Sequence, residues 1–141
     1  MLYARRDMLM SGSATLIGLG LPLPSLGQEI DAQDAIHAFA NGADIVPGEV
    51  TLMLPDVAED GFKVPIEVAA EGAEALLIIA PQNPVPPLAM VQFGTLAADR
   101  RFSTRVRLAR SQEIMALARM PGGAILRASR QVEVIVGGCG A

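Results

Sequence analysis

Two periodicities divide the chain. Between Asp31 and Asn41 the apolar residues recur three to four positions apart, with Ile36, Phe39 and Ala40 on one face, Asp31 placed to cap the first turn and Asn41-Gly42 placed to end the last. One short helix is the reading. Beyond it the period falls to two, the repeat of strands whose side chains point alternately to opposite faces. Glu49 to Leu54 and Lys63 to Ala69 read as strands joined through the turn Glu59-Asp60-Gly61, and Ala75 to Ala80 and Leu88 to Gly94 are apolar runs of strand length. Between those two runs, Pro81-Gln82-Asn83-Pro84-Val85-Pro86-Pro87 has no backbone donor at four of its seven positions and has to be a loop.

The clearest alternation sets Phe102, Thr104, Val106 and Leu108 on one face and Ser103, Arg105 and Arg107 on the other, so one side is buried and the other wet. Ser111 to Met120 fits either a helix capped by Ser111 and carrying Ile114, Leu117 and Ala118, or a strand; the strand is preferred on the family resemblance described below. Pro121-Gly122-Gly123 turns the chain into Ala124 to Ser129. A last strand follows, in which Val132, Val134 and Val136 alternate with Gln131, Glu133 and Ile135. Roughly seven or eight short strands, with turn signals about every 8 to 12 residues, predict an all-β fold: an immunoglobulin-like β-sandwich with a short N-terminal helix and a flexible C-terminal arm.

Composition narrows the core. Of the 141 residues 51% are hydrophobic, yet there are four Phe, one Tyr and no Trp, so the interior has to be aliphatic and an aromatic-lined ligand pocket is not expected. A formal net charge of -4 and a pI near 4.9, with Lys63 the sole lysine, argue against a nucleic-acid partner. One Cys and one His cannot assemble a metal set, so no metal and no cofactor are expected. His37 reads as a structural or exposed helix residue, and Asp56, Glu59 and Asp60 as a solvated turn. Arg105, Arg107 and Arg110 form a basic strip whose first reading is a solvent face and whose second is a docking surface.

Residues 1–27 read as an address. Arg5 and Arg6 are followed by one spacer and then Met8-Leu9, and Ser11 to Leu26 is apolar but interrupted by Gly12, Gly18, Gly20, Pro22 and Pro24. That segment is too short and broken to span about 30 Å of hydrocarbon as a helix, so export without membrane anchoring is expected. Ser25 and Gly27 supply small residues for cleavage before Gln28, and the arginine pair is similar to a twin-arginine signal, which leads to the periplasm. The predicted organisation is therefore an export signal over 1–27, a β-sandwich domain over 28–136 and an arm over 137–141.

The chemistry is expected in that arm. Gly137-Gly138-Cys139-Gly140-Ala141 follows the last strand, and its only reactive side chain is the thiol of the chain's single cysteine. Glycines at 137, 138 and 140 make the segment costly to fix in one conformation and give the sulfur access. Fully extended, it carries Cys139 about 10 Å beyond Val136. An odd cysteine in an exported protein is reactive or bound to something external. No His, Lys or Arg lies within the last ten residues, so the thiol should keep a pKa near about 8.5 and be mostly protonated at neutral pH. Activation then has to come from a partner enzyme, which makes the protein a substrate rather than a catalyst.

Four segments in order carry a family resemblance. Val134-Ile135-Val136-Gly137-Gly138-Cys139-Gly140 resembles the ending of SoxY proteins, Ser103-Thr104-Arg105-Val106-Arg107-Leu108-Ala109 resembles one of their strands, Val50-Thr51-Leu52-Met53-Leu54-Pro55 resembles their first strand, and Asn83-Pro84-Val85-Pro86 resembles their Asn-Pro-x-Pro loop. The resemblance implies a sulfur-compound carrier that holds thiosulfate-derived intermediates covalently on Cys139, with Gly137, Gly138 and Gly140 giving the arm its freedom. It implies a heterodimer with a SoxZ-type subunit, presented in turn to a haem enzyme that couples thiosulfate to the thiol, a manganese hydrolase that releases sulfate, and a sulfur dehydrogenase. Two departures stand out: Ala141 where the family usually has Gly, and a Val68 to Glu74 stretch shorter than the family's loop and lacking its Tyr. A thiol peroxidase using Cys139, or a binding sandwich with an inert tail, are the rival functions.

Overall fold

The structure, a computed structural model, describes residues 30–135. The expected export signal, Val136 and the arm over 137–141 lie outside the described residues.

Among the described residues one helix, α1 (Ala32–Ala40), precedes nine strands: β1 (Ile45–Pro47), β2 (Thr51–Met53), β3 (Val57–Ala58), β4 (Val64–Ala69), β5 (Ala75–Ile79), β6 (Pro87–Gln92), β7 (Arg101–Val106), β8 (Gln112–Arg119) and β9 (Ile125–Val134). Two sheets form from them, one ordered β1-β9-β8-β5-β6 with β3 also paired to β9, the other ordered β2-β4-β7. The β-sandwich expected from the alternating pattern is present. The run Ser111 to Met120, compatible with helix or strand by periodicity, is the strand β8, antiparallel to both β5 and β9.

The pattern of each strand follows from what covers it. Leu76 and Ile78 of β5 point between the sheets, where they meet Val64, Ile66 and Val68 of β4, Ile114 of β8 and Val132 of β9. Leu77 and Ile79 point to the opposite face, where Ile36, Phe39 and Ala40 of α1 pack on them with Leu117 and Ile125. Every residue of β5 is buried because both faces are covered, which is why its sequence is a continuous apolar run rather than an alternation. Fully burying each of these aliphatic side chains contributes about 1.5–3 kcal/mol.

α1 is fixed at its end by Arg119 of β8, whose guanidinium lies 4.4 Å from the centre of the Phe39 ring and donates to the Phe39 carbonyl oxygen. Asn41 ends the helix in the left-handed conformation at φ 49°, and its N–H donates to the His37 carbonyl oxygen at 2.9 Å. Asp31 occupies the N-cap position, but its side chain makes no capping hydrogen bond; only its carbonyl is used, accepting from the Ala35 N–H at 3.1 Å.

Two further differences concern strands. β9 is one strand of ten residues where the sequence suggests two segments, because the polar Ser129-Arg130-Gln131 stretch keeps its pairing with Met115, Ile114 and Glu113 of β8. The connection between the helix and β4 also holds more structure than a strand and a turn. β1 runs parallel to the start of β9, the chain crosses to give β2 to the other sheet, and β3 returns to run parallel to the end of β9. Strands of two or three residues carry no readable period.

The Pro81 to Pro87 loop is held by a polar network. Asn83 Nδ2 donates to the Arg107 carbonyl oxygen at 2.7 Å, and Asn83 Oδ1 accepts from the Ala109 N–H at 2.9 Å and from Gln112 Nε2 at 3.0 Å. Gln112, 3% exposed, also donates to the Arg110 carbonyl oxygen and accepts from the Gln82 N–H. These bonds replace the ladder contacts that the prolines cannot make, and they tie the loop to the segment that follows β7.

Candidate functional site

The position of Cys139 depends on where β9 releases the chain. Its last described residues are bonded on two sides. The Glu133 N–H donates to the Asp56 carbonyl oxygen at 2.9 Å and the Ile135 N–H to the Ala58 carbonyl oxygen at 3.0 Å, so alternate residues bond to β3 and its approach. Between them the Val134 N–H donates to Ser111 Oγ at 2.8 Å, and the same hydroxyl reaches the Val134 carbonyl oxygen at 3.4 Å. Val134 itself is buried and packs in the inter-sheet core. The backbone is therefore anchored as far as Ile135, and the four residue steps from there to Cys139 give a reach of at most about 14 Å.

The turn beside this root is shaped by one glycine. A Cβ on Gly61 would lie 2.6 Å from the Leu108 carbonyl oxygen and 2.9 Å from Val134 Cγ1, so only glycine allows the close approach. The Leu108 N–H donates to the Gly61 carbonyl oxygen at 2.8 Å, locking the turn to the segment after β7. Asp60 Oδ1 accepts from the Phe62 N–H at 2.9 Å, the turn-stabilising role its residue type suggests. Asp56 pairs with Arg130 at 2.7 Å; both side chains are largely exposed, so this pair adds little to stability. Glu59, Asp60 and Asp56 thus form the turn and its margin.

Around the root, exposed apolar side chains sit among charges of both signs, with Asp56, Glu59, Asp60 and Glu133 on the side of the turn and Arg107 over Phe62. Val57 and Ile135 are 46% and 47% exposed, and Phe62, 68% exposed, lies 4.6 Å beneath the Arg107 guanidinium. Of the basic strip, Arg107 is therefore stacked on Phe62, while Arg105 and Arg110 are exposed. His37 is exposed on α1, which packs on the face of the larger sheet opposite the inter-sheet core. Among the described residues there is no group of three or more His, Cys, Asp or Glu able to hold a metal ion, and no helix long and apolar enough to cross a membrane. Cys139 and Gly137, Gly138 and Gly140 lie outside the described residues. Sequence reasoning finds the thiol but misses its mooring: β3 is too short to read, and Ser111 suggests only a possible helix cap.

Comparison with known proteins decides the family. The family description "Sulfur oxidation protein SoxY" matches residues 36–139, a span that begins within α1 and whose last residue is Cys139. The chain belongs to the SoxY family. Among solved structures, the SoxY described as a sulfur carrier protein from Chlorobium limicola f thiosulfatophilum superposes with a TM-score of 0.65 at 29% identity, over 74% of this chain and 96% of that one. A superoxide reductase (neelaredoxin) from Ignicoccus hospitalis has a TM-score of 0.53 at 14% identity, over 62% of this chain and 81% of that one. A hypothetical protein from Pyrococcus horikoshii OT3 reaches 0.51 at 14% identity, over 63% and 96%. At that identity the likeness to the last two shows the sandwich alone. No curated protein sequence gives a significant match. The SoxY-family match and its SoxY neighbour agree with the all-β sandwich built above.

Proposed function

We propose that this SoxY-family chain is a periplasmic sulfur carrier that holds thiosulfate-derived groups covalently on Cys139 and presents them to Sox enzymes on the arm Gly137–Ala141. The observation that carries this reading is the span of the family match, which reaches the single cysteine as its final residue. The anchored root at Val134 and Ile135 supports it, since a swinging segment delivers its cargo only if its base is fixed.

The chemistry balances without a catalytic group on the carrier. Oxidative coupling joins the Cys139 sulfur to the outer sulfur of thiosulfate; the thiol proton and two electrons leave, and the haem enzyme is the electron acceptor. The product is a cysteine S-thiosulfonate. Hydrolysis at the sulfone by the manganese hydrolase adds water across the bond between the sulfone and its neighbouring sulfur. Sulfate and a proton are released, and a persulfide stays on Cys139. Further oxidation by the sulfur dehydrogenase and a second hydrolysis return the thiol. The carrier contributes one nucleophilic sulfur and an arm without bulk, works as a heterodimer with a SoxZ-type subunit, and reaches the periplasm through the twin-arginine-like segment over 1–27.

Mass spectrometry of the protein isolated from cells oxidising thiosulfate tests this. Sulfur and thiosulfonate adducts on Cys139 are expected, absent in Cys139→Ser. Sulfenic or sulfinic acid alone would indicate a peroxidase instead, and a thiol that never changes would leave only an inert sandwich.

A further inference from the structure

Among the described residues β6 bonds on one side only, to β5, and forms the end of its sheet. The phase of that ladder is fixed by the Phe93 N–H, which donates to the Glu74 carbonyl oxygen at 2.9 Å. Val91 lies opposite Leu76 and Met90 opposite Leu77. Because hydrogen-bonded and non-bonded pairs alternate in an antiparallel ladder, Val91 turns its backbone groups toward β5, while Met90 and Gln92 turn theirs to the open edge.

Such an edge is normally blunted by charge. β7, the facing edge of the other sheet, carries Arg101 and Arg105, whereas Leu88 to Gln92 contains no charged residue and the prolines at 84, 86 and 87 guard only its beginning. Met90 is 64% exposed. Both faces of the strand border a groove. One, of about 590 Å³, opens between β6 and β7, over the half-buried Leu88 and Phe102, and its charged lining residues are Arg105 and Arg107. The other, of about 790 Å³, lies between Met90 and α1.

We propose that β6 is the edge through which the chain joins its partner subunit, taking an extended segment of that subunit as an added strand. The proposal rests on the carrier reading above, in which the chain works as a heterodimer. The added strand pairs with the free backbone groups of Met90 and Gln92, places apolar side chains in the groove toward β7, and brings a carboxylate to Arg105 and Arg107. A second copy of this chain fits less well. Antiparallel pairing of two β6 edges about a twofold axis would extend both sheets in the same sense and set two β7 strands, each with an exposed Arg105, against one another.

The test uses the mature chain produced together with the SoxZ-type subunit, with stoichiometry from light scattering and amide exchange from mass spectrometry. A one-to-one complex is expected, in which the Met90 and Gln92 amides exchange on the order of a hundredfold more slowly than in the free chain. Met90→Lys, a change at an exposed side chain, should weaken pairing by on the order of a hundredfold. Arg105→Glu should weaken it by about tenfold. Both should melt like the unaltered chain, and Met53→Lys, on the other sheet, should pair normally. A stable complex in which the Met90 and Gln92 amides exchange as in the free chain, or in which Met90→Lys pairs as well as the parent, overturns the assignment of the edge while the heterodimer stands. Absence of any complex overturns the heterodimer and this inference together. A homodimer that protects the same amides gives the edge to a second copy and also overturns the proposal.

Discussion

The hydroxyl of Ser111 accepts the Val134 N–H at 2.8 Å and lies 3.4 Å from the Val134 carbonyl oxygen, so one side chain holds both backbone polar groups of the last residue of β9. With the Ile135 N–H bonded to the Ala58 carbonyl oxygen, this fixes the point from which the chain continues toward Cys139. A carrier needs the opposite properties on either side of that point, a base that does not move and an arm that does.

Ser111→Ala is therefore expected to lower stability by about 1 kcal/mol, the net worth of a hydrogen bond lost at a partly buried backbone group. Amide exchange at Val134 should accelerate more than at Leu117, in the middle of β8. Urea denaturation and exchange measured on the same variant check both; an unchanged Val134 amide would mean that β3 alone holds the root.

Gly61→Ala should be more damaging than the loss of one hydrogen bond. The added methyl meets the Leu108 carbonyl oxygen at 2.6 Å, and that backbone cannot retreat without disturbing the Leu108 N–H to Gly61 bond. Overpacking of this kind costs about 1–3 kcal/mol. Gly94→Ala, where nothing lies within 4 Å of the new methyl, should leave the melting temperature nearly unchanged and serves as the control.

Much of this architecture is legible in the sequence, and the parts that are not share a cause. α1 announces itself through Ile36, Phe39 and Ala40, and β5 through an unbroken apolar run, because burial imposes a period or abolishes it over five or more residues. β1 and β3 impose none. Their pairing with β9 joins residues far apart in sequence, Ile45 to Ile125 and Val57 to Glu133, and no local pattern encodes it. Phe102 and Thr104 share the inward phase of Val106, as the alternation implies, but stay half-buried because β7 and β6 are the unpaired edges of their sheets and leave the sandwich open between them. For the site, a lone thiol among glycines is visible in composition; a hydroxyl 23 residues from the backbone it secures is not.

Asn83 explains why an Asn precedes the prolines in the loop resembling Asn-Pro-x-Pro. Its side chain makes three hydrogen bonds, to Arg107, Ala109 and Gln112, and the last belongs to a residue that is almost wholly buried. Asn83→Ala leaves the exposed Ala109 N–H to water and removes one of the two acceptors of the part-buried Gln112 amide, for a loss of about 1 kcal/mol. Asn83→Asp keeps the acceptor for Ala109 and Gln112 but loses the donor to Arg107, and should fall between the two. Chemical denaturation of the three proteins orders them; equal stability of Asn83→Ala and the parent would show that solvent replaces the network.

The glycines around Cys139 allow the arm's two requirements to be separated. If the arm serves by entering narrow sites in other proteins, bulk matters there and not in open water. Gly138→Val should fold and melt like the parent, since among the described residues both hydrophobic cores are built from side chains between Ala32 and Val134, and its thiol should react with iodoacetamide at about the parental rate. Enzymatic loading with thiosulfate should instead slow by on the order of ten- to a hundredfold, the scale on which a small misplacement of a reacting atom acts. Both rates measured on one preparation give the answer. Equal slowing with iodoacetamide and with the loading enzyme would locate the effect in the thiol itself rather than in its passage into a partner.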